Sequence, residues 1–155
     1  MAQTQRKSKK ATSSGNRGRT AAPQAASGAK SDARLKIIIC LLLVIITVAA
    51  YWQVWGGGFI ECFDDQIYVV KNAFVSHGLT LEGAKWAFRT FACANWHPVT
   101  WLSHMADCSV YGLNPAGHHT TSLLLHIANA LMLFLVLSLM TGEAWKSGFV
   151  AALFA

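Results

Sequence analysis

The chain has 155 residues, of which 54% are hydrophobic and only 13% are charged. Soluble domains carry about 25% charged residues, so the composition argues against a solitary soluble enzyme and favours a membrane-resident protein. The net charge of +6 is concentrated at one end, because residues 1–36 hold nine bases and one acid while the rest of the chain holds four bases and six acids.

The basic arm, residues 1–36, consists mainly of Ala, Ser, Thr, Gly, Gln, Lys and Arg. A segment of this kind buries too little apolar surface to offset the entropy lost on ordering, so we predict that it is disordered. Basic arms can bind nucleic acid. The apolar run that follows favours a different interpretation, a cytoplasmic flank of a membrane span, and we predict no nucleic-acid partner.

The first predicted membrane span covers residues 37–55, a run of 19 residues without a charge. A helix rises about 1.5 Å per residue, so this run reaches roughly the thickness of the hydrocarbon core of a bilayer. Trp52 and Trp55 stand at its far end, where aromatic anchors are common. The positive-inside rule places the basic arm in the cytoplasm. A cleaved signal peptide, cut near Val48-Ala49-Ala50, is the alternative.

A second span is predicted over residues 118–141, whose central stretch lacks Asp, Glu, Lys and Arg. His126 and Asn129 make one face polar, and such a face usually turns toward other helices. Residues 145–155 read as the start of a third span, which would need about 20 residues. We therefore expect the sequence to be the N-terminal fragment of a longer multi-pass protein.

Residues 56–117 form the predicted outer loop, with two short helices. Thr80 is placed to cap a helix through Leu81 and Phe88. Pro98 suits the first turn of the second helix, whose apolar residues Leu102 and Met105 we expect to rest on the membrane surface.

Three of the four cysteines lie in this loop: Cys62, Cys93 and Cys108. A disulfide is permitted in an outer compartment, and Cys93–Cys108 is one candidate pair. The odd number leaves at least one thiol free or paired elsewhere.

Asp64 and Asp65 are adjacent acids shortly after the first span. Two neighbouring carboxylates repel, and beside an apolar surface the pKa of at least one is expected to rise. Such a carboxylate is a competent general base for a hydroxyl nucleophile. Successive side chains of an extended segment point to opposite sides, so we expect unequal roles. An acidic turn or a helix cap is the plain structural alternative.

Two histidine pairs have a spacing of seven residues, His97 with His104 and His119 with His126, so each pair can share a helix face. Two such faces can hold a haem or a metal ion. Hydrogen-bonded pocket histidines are the simpler interpretation, since no HExxH, CxxCH or CxxC spacing occurs. We assign no metal ligand and no cofactor, and we leave a divalent cation open.

The order of several longer motifs is more specific than any of these features. The chain contains FDDQIYVVKN, NWHPVTWLSHMADC, YGLNPAGHHTTSLLLHIANALMLFLVL and TGEAW, in that order. Over roughly residues 55–155 it resembles the N-terminus of bacterial relatives of the transmembrane and tetratricopeptide-repeat O-mannosyltransferases. The resemblance implies an all-α integral membrane protein, a GT-C-like multi-pass helical bundle, with more transmembrane helices and a C-terminal repeat array.

The resemblance also implies an activity, namely transfer of a sugar from a polyprenyl-phosphate donor to a Ser or Thr hydroxyl of a protein acceptor. It implies the bacterial inner membrane, with the outer loop on the periplasmic or extracellular side. By position, Asp64 would be the base and Asp65 its supporting partner, or the reverse. Four residues are pocket candidates that would contact phosphate or sugar: Asn95, His97, His118 and His119.

Two interpretations from other classes stay open. One is a non-catalytic multi-pass scaffold protein, and the other is a His-ligated membrane redox protein. We expect the 155 residues alone to be inactive as a transferase, because a GT-C pocket needs later loops and helices to bind the lipid donor.

Overall fold

The structure, a computed structural model, describes residues 24–61 and 64–155. Within these residues it is built from helices and turns, and no strand occurs. The predicted all-helical class is therefore confirmed for the described part. The structure also contains the two predicted helices that are long and apolar enough to cross a membrane, at Asp32–Gly56 and Pro115–Thr141.

Helix α1 covers Gln24–Tyr51, and a 3-10 turn at Trp52–Gly56 continues it. Residues 24–36 thus belong to a helix, whereas their composition predicted disorder. The physical reason is that extending an existing helix costs much less than starting one, and Ala, Lys, Arg and Gln propagate helices well. The prediction of disorder for residues 1–23 lies outside the described residues.

Helix α5 is assigned to Pro115–Thr141 and α6 to Ala144–Phe154, in the numbering used here for the helices in chain order. Both flank a tight connection in which Gly142 has a φ of 71°, a left-handed conformation that favours glycine. Asn114 caps α5 by accepting a hydrogen bond from the Ala116 amide, and Pro115 occupies the first turn.

Helices α1, α5 and α6 pack together as a three-helix unit. Their shared core contains Ile39 and Leu43 from α1, Phe134 from α5 and Ala151 from α6. Gly148 allows the close approach of α6 to α1, because a Cβ built there would lie 2.8 Å from the Cγ2 atom of Ile39. Small residues at such crossings are typical of helices that associate in membranes.

The polar residues of α5 divide between two environments. The ring of His126 packs edge-on against Tyr51, with centroids 5.3 Å apart, and lies 5.2 Å from the ring of Phe154. It turns toward the other helices, as predicted. Asn129 is exposed on the surface of the described unit, so the polar face is only partly covered by these residues.

The loop between the two long helices is itself a small folded module. It contains a π-helical turn at Gln66–Val70 and three short helices, α2 (Ala73–Ser76), α3 (Leu81–Arg89) and α4 (Pro98–Tyr111). Helices α3 and α4 start where the sequence predicted, since the Thr80 side chain accepts a hydrogen bond from the Gly83 amide and Pro98 occupies the first turn of α4.

The loop was predicted to have two short helices, and α2 is a third. Asn72 caps it by accepting a hydrogen bond from the Phe74 amide. A four-residue helix is too short to show a periodic apolar pattern, which explains why the sequence alone did not indicate it.

Trp101 and Met105 form the centre of the module, and both are fully buried. They pack with Val69, Val75, Ala87 and Cys108, and Leu102 lies against this cluster. The expectation that Met105 rests on a membrane surface was therefore wrong, while Leu102 is half-buried against the same core. Helices α2 and α3 and the π-helical turn supply a protein core that covers them, and burial there removes the same apolar area from water.

The candidate disulfide between Cys93 and Cys108 is not formed. Cys93 lies exposed in a short turn with a φ of 56°, whereas Cys108 is buried in α4, and both are free thiols. The π-helical turn supplies Tyr68, and α4 supplies His104 and Asp107, near the point where α4 meets α5.

Candidate functional site

The junction between α4 and α5 brings several titratable side chains together. Helix α4 ends at Tyr111 and is followed by Gly112, whose φ is 61°, and α5 starts at Pro115. This short connection places the last turns of α4 beside the first turns of α5. As a result, Asp107 on α4 and His118 on α5 are both buried and face each other.

The His118 ring makes three polar approaches. Its Nδ1 atom is 3.8 Å from Oδ2 of Asp107, and its Nε2 atom is 2.9 Å from the carbonyl oxygen of Gly112. The Cys108 Sγ atom is 3.9 Å from the same Nε2. Since a carbonyl oxygen only accepts hydrogen bonds, the Nε2–H donates to Gly112.

The Asp107 carboxylate is also held from the side of α5. The Thr121 hydroxyl donates a hydrogen bond of 2.7 Å to Oδ1 of Asp107. One carboxylate oxygen is thus occupied by a hydroxyl, while the other faces the imidazole of His118. This arrangement fixes both the position of the carboxylate and the direction in which its second oxygen points.

His104, one turn before Asp107 on α4, completes the group. One ligand atom from each of His104, Asp107 and His118 lies within 4.8 Å of the others; we call these three residues the histidine–aspartate cluster. The Nδ1 atoms of His104 and His118 are buried without a hydrogen-bond partner among the residues described. Two imidazoles and a carboxylate can hold a cation or orient an anion or hydroxyl between them.

The pKa of His104 is lowered from its ordinary value. Burial is the largest cause, since it disfavours the charged imidazolium, and the neighbouring His118 and His97 act in the same direction. The negative charges of Asp107 and Asp65 oppose this shift. His104 is therefore held preferentially as a neutral imidazole, the form that can act as a ligand or as a base.

An aromatic layer borders the cluster. Tyr68 of the π-helical turn stacks on His97, with ring centroids 5.6 Å apart, and on Trp101 at 4.9 Å. The rings of Tyr68 and His104 form an edge-to-face pair, with centroids 6.5 Å apart. His97 and His104 thus contact the same tyrosine, although His97 lies before the first residue of α4 and not on the shared helix face that the spacing of seven residues predicted. The Nε2 atom of His97 is also buried and unpartnered within the described chain.

The two adjacent acids differ in environment. Asp64 is exposed, whereas Asp65 is half-buried and accepts a hydrogen bond of 3.0 Å from the Ile60 amide. The charge of Asp65 raises the pKa of His104 against the larger effect of burial. The two acids thus differ in burial, but the predicted reason was wrong, because Asp64 and Asp65 are helical rather than extended and Asp65 has a φ of −53° and a ψ of −39°.

The other two pocket candidates lie elsewhere. Asn95 is exposed, and its side-chain amide donates to the Cys93 carbonyl oxygen at 3.3 Å. His119 lines a separate cavity of about 220 Å³ between α1 and α5, together with His126 and Tyr51. Of the four pocket candidates, the structure brings His97 and His118 to the aromatic and acidic groups described above.

Two members of the cluster, His104 and Asp107, were not among the predicted site residues. A signal for them was present in the sequence, because residues three apart on a helix share a face and Pro98 already indicated a helix there. The spacing does not reveal the third member, His118, which comes from the next helix.

No known protein family, curated protein or solved structure matches this chain significantly.

Proposed function

We propose that this chain is the N-terminal part of a membrane glycosyltransferase that moves a sugar from a polyprenyl-phosphate donor to a Ser or Thr hydroxyl of a protein. One observation carries the proposal: a folded loop between two helices of membrane-spanning length contains an acidic pair near its start, of which Asp65 is half-buried and hydrogen-bonded to the Ile60 amide. The order of motifs that resembles the O-mannosyltransferase relatives supports the same class.

The proposed location is the bacterial inner membrane. Helices α1 and α5 are long and apolar enough to cross it, and the bases at the N-terminal end of the chain favour a cytoplasmic start. The loop module then lies on the periplasmic or extracellular side. Trp55 supports this geometry at the end of the first span, because its Nε1–H donates to the Thr120 hydroxyl at 2.9 Å and joins the end of α1 to the start of α5.

The proposed chemistry needs one base. The carboxylate takes the proton from the acceptor hydroxyl, the hydroxyl oxygen bonds to the anomeric carbon of the sugar, and the bond from that carbon to the lipid phosphate breaks. Asp65 is less exposed than Asp64, and its charge acts on the pKa of His104, so it is the better candidate for the base. Asp64 then serves as the supporting partner.

The test is transfer of a labelled sugar from a polyprenyl-phosphate donor to an acceptor peptide in proteoliposomes that contain the complete gene product. Asp65→Asn is expected to lower the rate by about 10²–10⁴-fold, the usual contribution of a general base. Asp64→Asn should have a smaller effect. Glu61→Gln is a matched control, because Glu61 is an exposed acid in the same segment.

Two outcomes would contradict the proposal. Transfer that persists unchanged in both aspartate variants would remove the acidic pair from the mechanism. A complete gene product that transfers no sugar from any polyprenyl-phosphate donor would favour the scaffold interpretation. Reading the DNA after the codon for Ala155 is an inexpensive first step, since further apolar spans and a repeat of about 34 residues are expected there.

A further inference from the structure

We propose that His104, Asp107 and His118 bind a divalent metal cation of the Zn²⁺ class. This inference concerns the histidine–aspartate cluster alone and does not depend on the proposed transferase activity. It also extends the sequence-based interpretation, which left a divalent cation open without naming ligands.

A hydrogen bond to the Gly112 carbonyl fixes the tautomer of His118. Its Nε2–H donates to the Gly112 carbonyl at 2.9 Å, which leaves a lone pair on Nδ1 in the neutral ring. That lone pair faces Oδ2 of Asp107 at 3.8 Å. Two electron-rich atoms thus point at each other in a buried place, since His118 is only 6% exposed. A positive charge between them is the arrangement that stabilises such a pair.

The distance between the ligand atoms of His118 and Asp107 suits a bound metal ion. Zn²⁺ lies about 2.0–2.2 Å from nitrogen and oxygen ligands, so two ligands of a tetrahedral ion are about 3.4 Å apart. The separation of 3.8 Å between His118 and Asp107 is close to this value. With His104, all three ligand atoms fall within 4.8 Å of one another. Small side-chain rotations are enough to bring the three ligand atoms to bonding distance from one ion.

Hydrogen bonds to neighbouring groups orient two of the three ligands, His118 and Asp107. A histidine that binds a metal usually donates its other N–H to a carbonyl or carboxylate, and a ligating carboxylate is itself hydrogen-bonded. Both features are present, because His118 donates to Gly112 and Asp107 accepts from Thr121 at 2.7 Å. These contacts orient the ligand atoms before any ion arrives.

The ligand types select the class of ion. Two imidazoles with one carboxylate suit Zn²⁺ and its transition-metal neighbours, whereas Mg²⁺ and Ca²⁺ prefer oxygen ligands. Three protein ligands leave a fourth position for water or for an oxygen of a bound molecule. The buried Nδ1 of His104 is a ligand atom that no hydrogen bond satisfies within the described part of the chain.

The experiment measures metal binding by the chain itself, purified in detergent through a tag without histidine and stripped with EDTA. After dialysis against Zn²⁺, elemental analysis is expected to find one ion per chain. Replacement by Co²⁺ should give the visible absorption bands of a four-coordinate ion. His118→Gln and Asp107→Asn should each abolish the stoichiometric binding. His77→Gln should retain it, since His77 is an exposed histidine at the end of α2.

A second variant covers the case in which the ligand variants do not fold. Thr121→Val keeps all three ligands but removes the hydrogen bond to Asp107, and an affinity loss of about 10–100-fold is expected. Thr100→Val is the matched control, because Thr100 is exposed on α4, and it should leave the affinity unchanged.

The proposal is overturned if the stripped chain takes up no Zn²⁺. It is also overturned if folded His118→Gln and Asp107→Asn bind the ion as tightly as the original chain, or if Thr121→Val and Thr100→Val bind equally well.

Discussion

The Thr121 hydroxyl on α5 donates a hydrogen bond of 2.7 Å to the carboxylate of Asp107 on α4. This contact joins the folded loop to a helix long enough to span a membrane. The orientation of the loop relative to α5 therefore determines whether the carboxylate faces His118. Movements at the junction between the two helices are expected to change the geometry of the histidine–aspartate cluster directly.

The core of the loop is expected to depend on Trp101, which is 0% exposed. Trp101→Ala should reduce the free energy of local unfolding by about 3–5 kcal/mol, because it removes a large buried side chain and leaves a cavity. Hydrogen exchange of the α3 and α4 amides measures this loss. Trp96→Ala is the control, since Trp96 is 56% exposed and donates one hydrogen bond to the Phe88 carbonyl. Equal loss of protection in both variants would contradict the prediction.

The crossing of α1 and α6 is expected to require a small residue at position 148. Gly148→Leu would place side-chain atoms where Ile39 already lies, and overpacking of this kind costs about 1–3 kcal/mol. A lower melting temperature in detergent measures the effect. Gly58→Leu should leave it unchanged, because nothing lies within 4 Å of a Cβ built there. The added variant Ile39→Ala should restore part of the loss, and its failure to do so would argue against this contact.

The stability of the metal-free chain is expected to fall in acid because of His104. Burial lowers its pKa in the folded state, so the unfolded chain binds a proton more readily. The resulting stability is present above the unfolded value of about 6.5 and is lost as the pH falls from there through the folded pKa. Melting curves between pH 7.5 and 5, recorded in EDTA, measure the slope of the melting temperature against pH.

The matched variants for that experiment are His104→Gln, which should flatten the slope, and His77→Gln, which should keep it because His77 is exposed. An unchanged slope in His104→Gln would show that other groups control the acid sensitivity.

The two free loop cysteines described by the structure are expected to differ in reactivity. Burial raises the pKa of the Cys108 thiol, and the charge of Asp107 adds to this shift, whereas Cys93 is exposed. The thiolate is the reactive form, so alkylation by iodoacetamide should be at least about tenfold slower at Cys108. Two variants that each keep one of these cysteines, with the other three replaced by Ser, allow mass spectrometry to compare the rates. Asp107→Asn should accelerate the reaction of Cys108.

Much of the secondary structure follows from the sequence through local interactions. The long apolar runs indicated α1 and α5, and the capping residues Thr80 and Pro98 indicated where α3 and α4 begin. Such features depend on the composition of a short segment and on hydrogen bonds made within one helical turn. Helix α2 and the helical state of residues 24–36 were not predicted, because neither carries a periodic apolar pattern.

The site was predictable only in part. A difference between Asp64 and Asp65 followed from the sequence, although the segment that was expected to be extended is helical. The meeting of His104 and Asp107 with His118 did not, because these residues come from two helices whose mutual position depends on the connection at Gly112 and on the packing of Trp101 and Met105.

The sequence by itself thus determined that the chain is helical, that two of its segments suit a bilayer, and that five of its seven acids and three of its six histidines lie in the loop between them. Only the tertiary structure decided which of those residues face one another. Contacts between helices depend on the direction in which each helix leaves a turn and on the core that holds it there. That information is spread over the whole loop and is not contained in the spacing of any one motif.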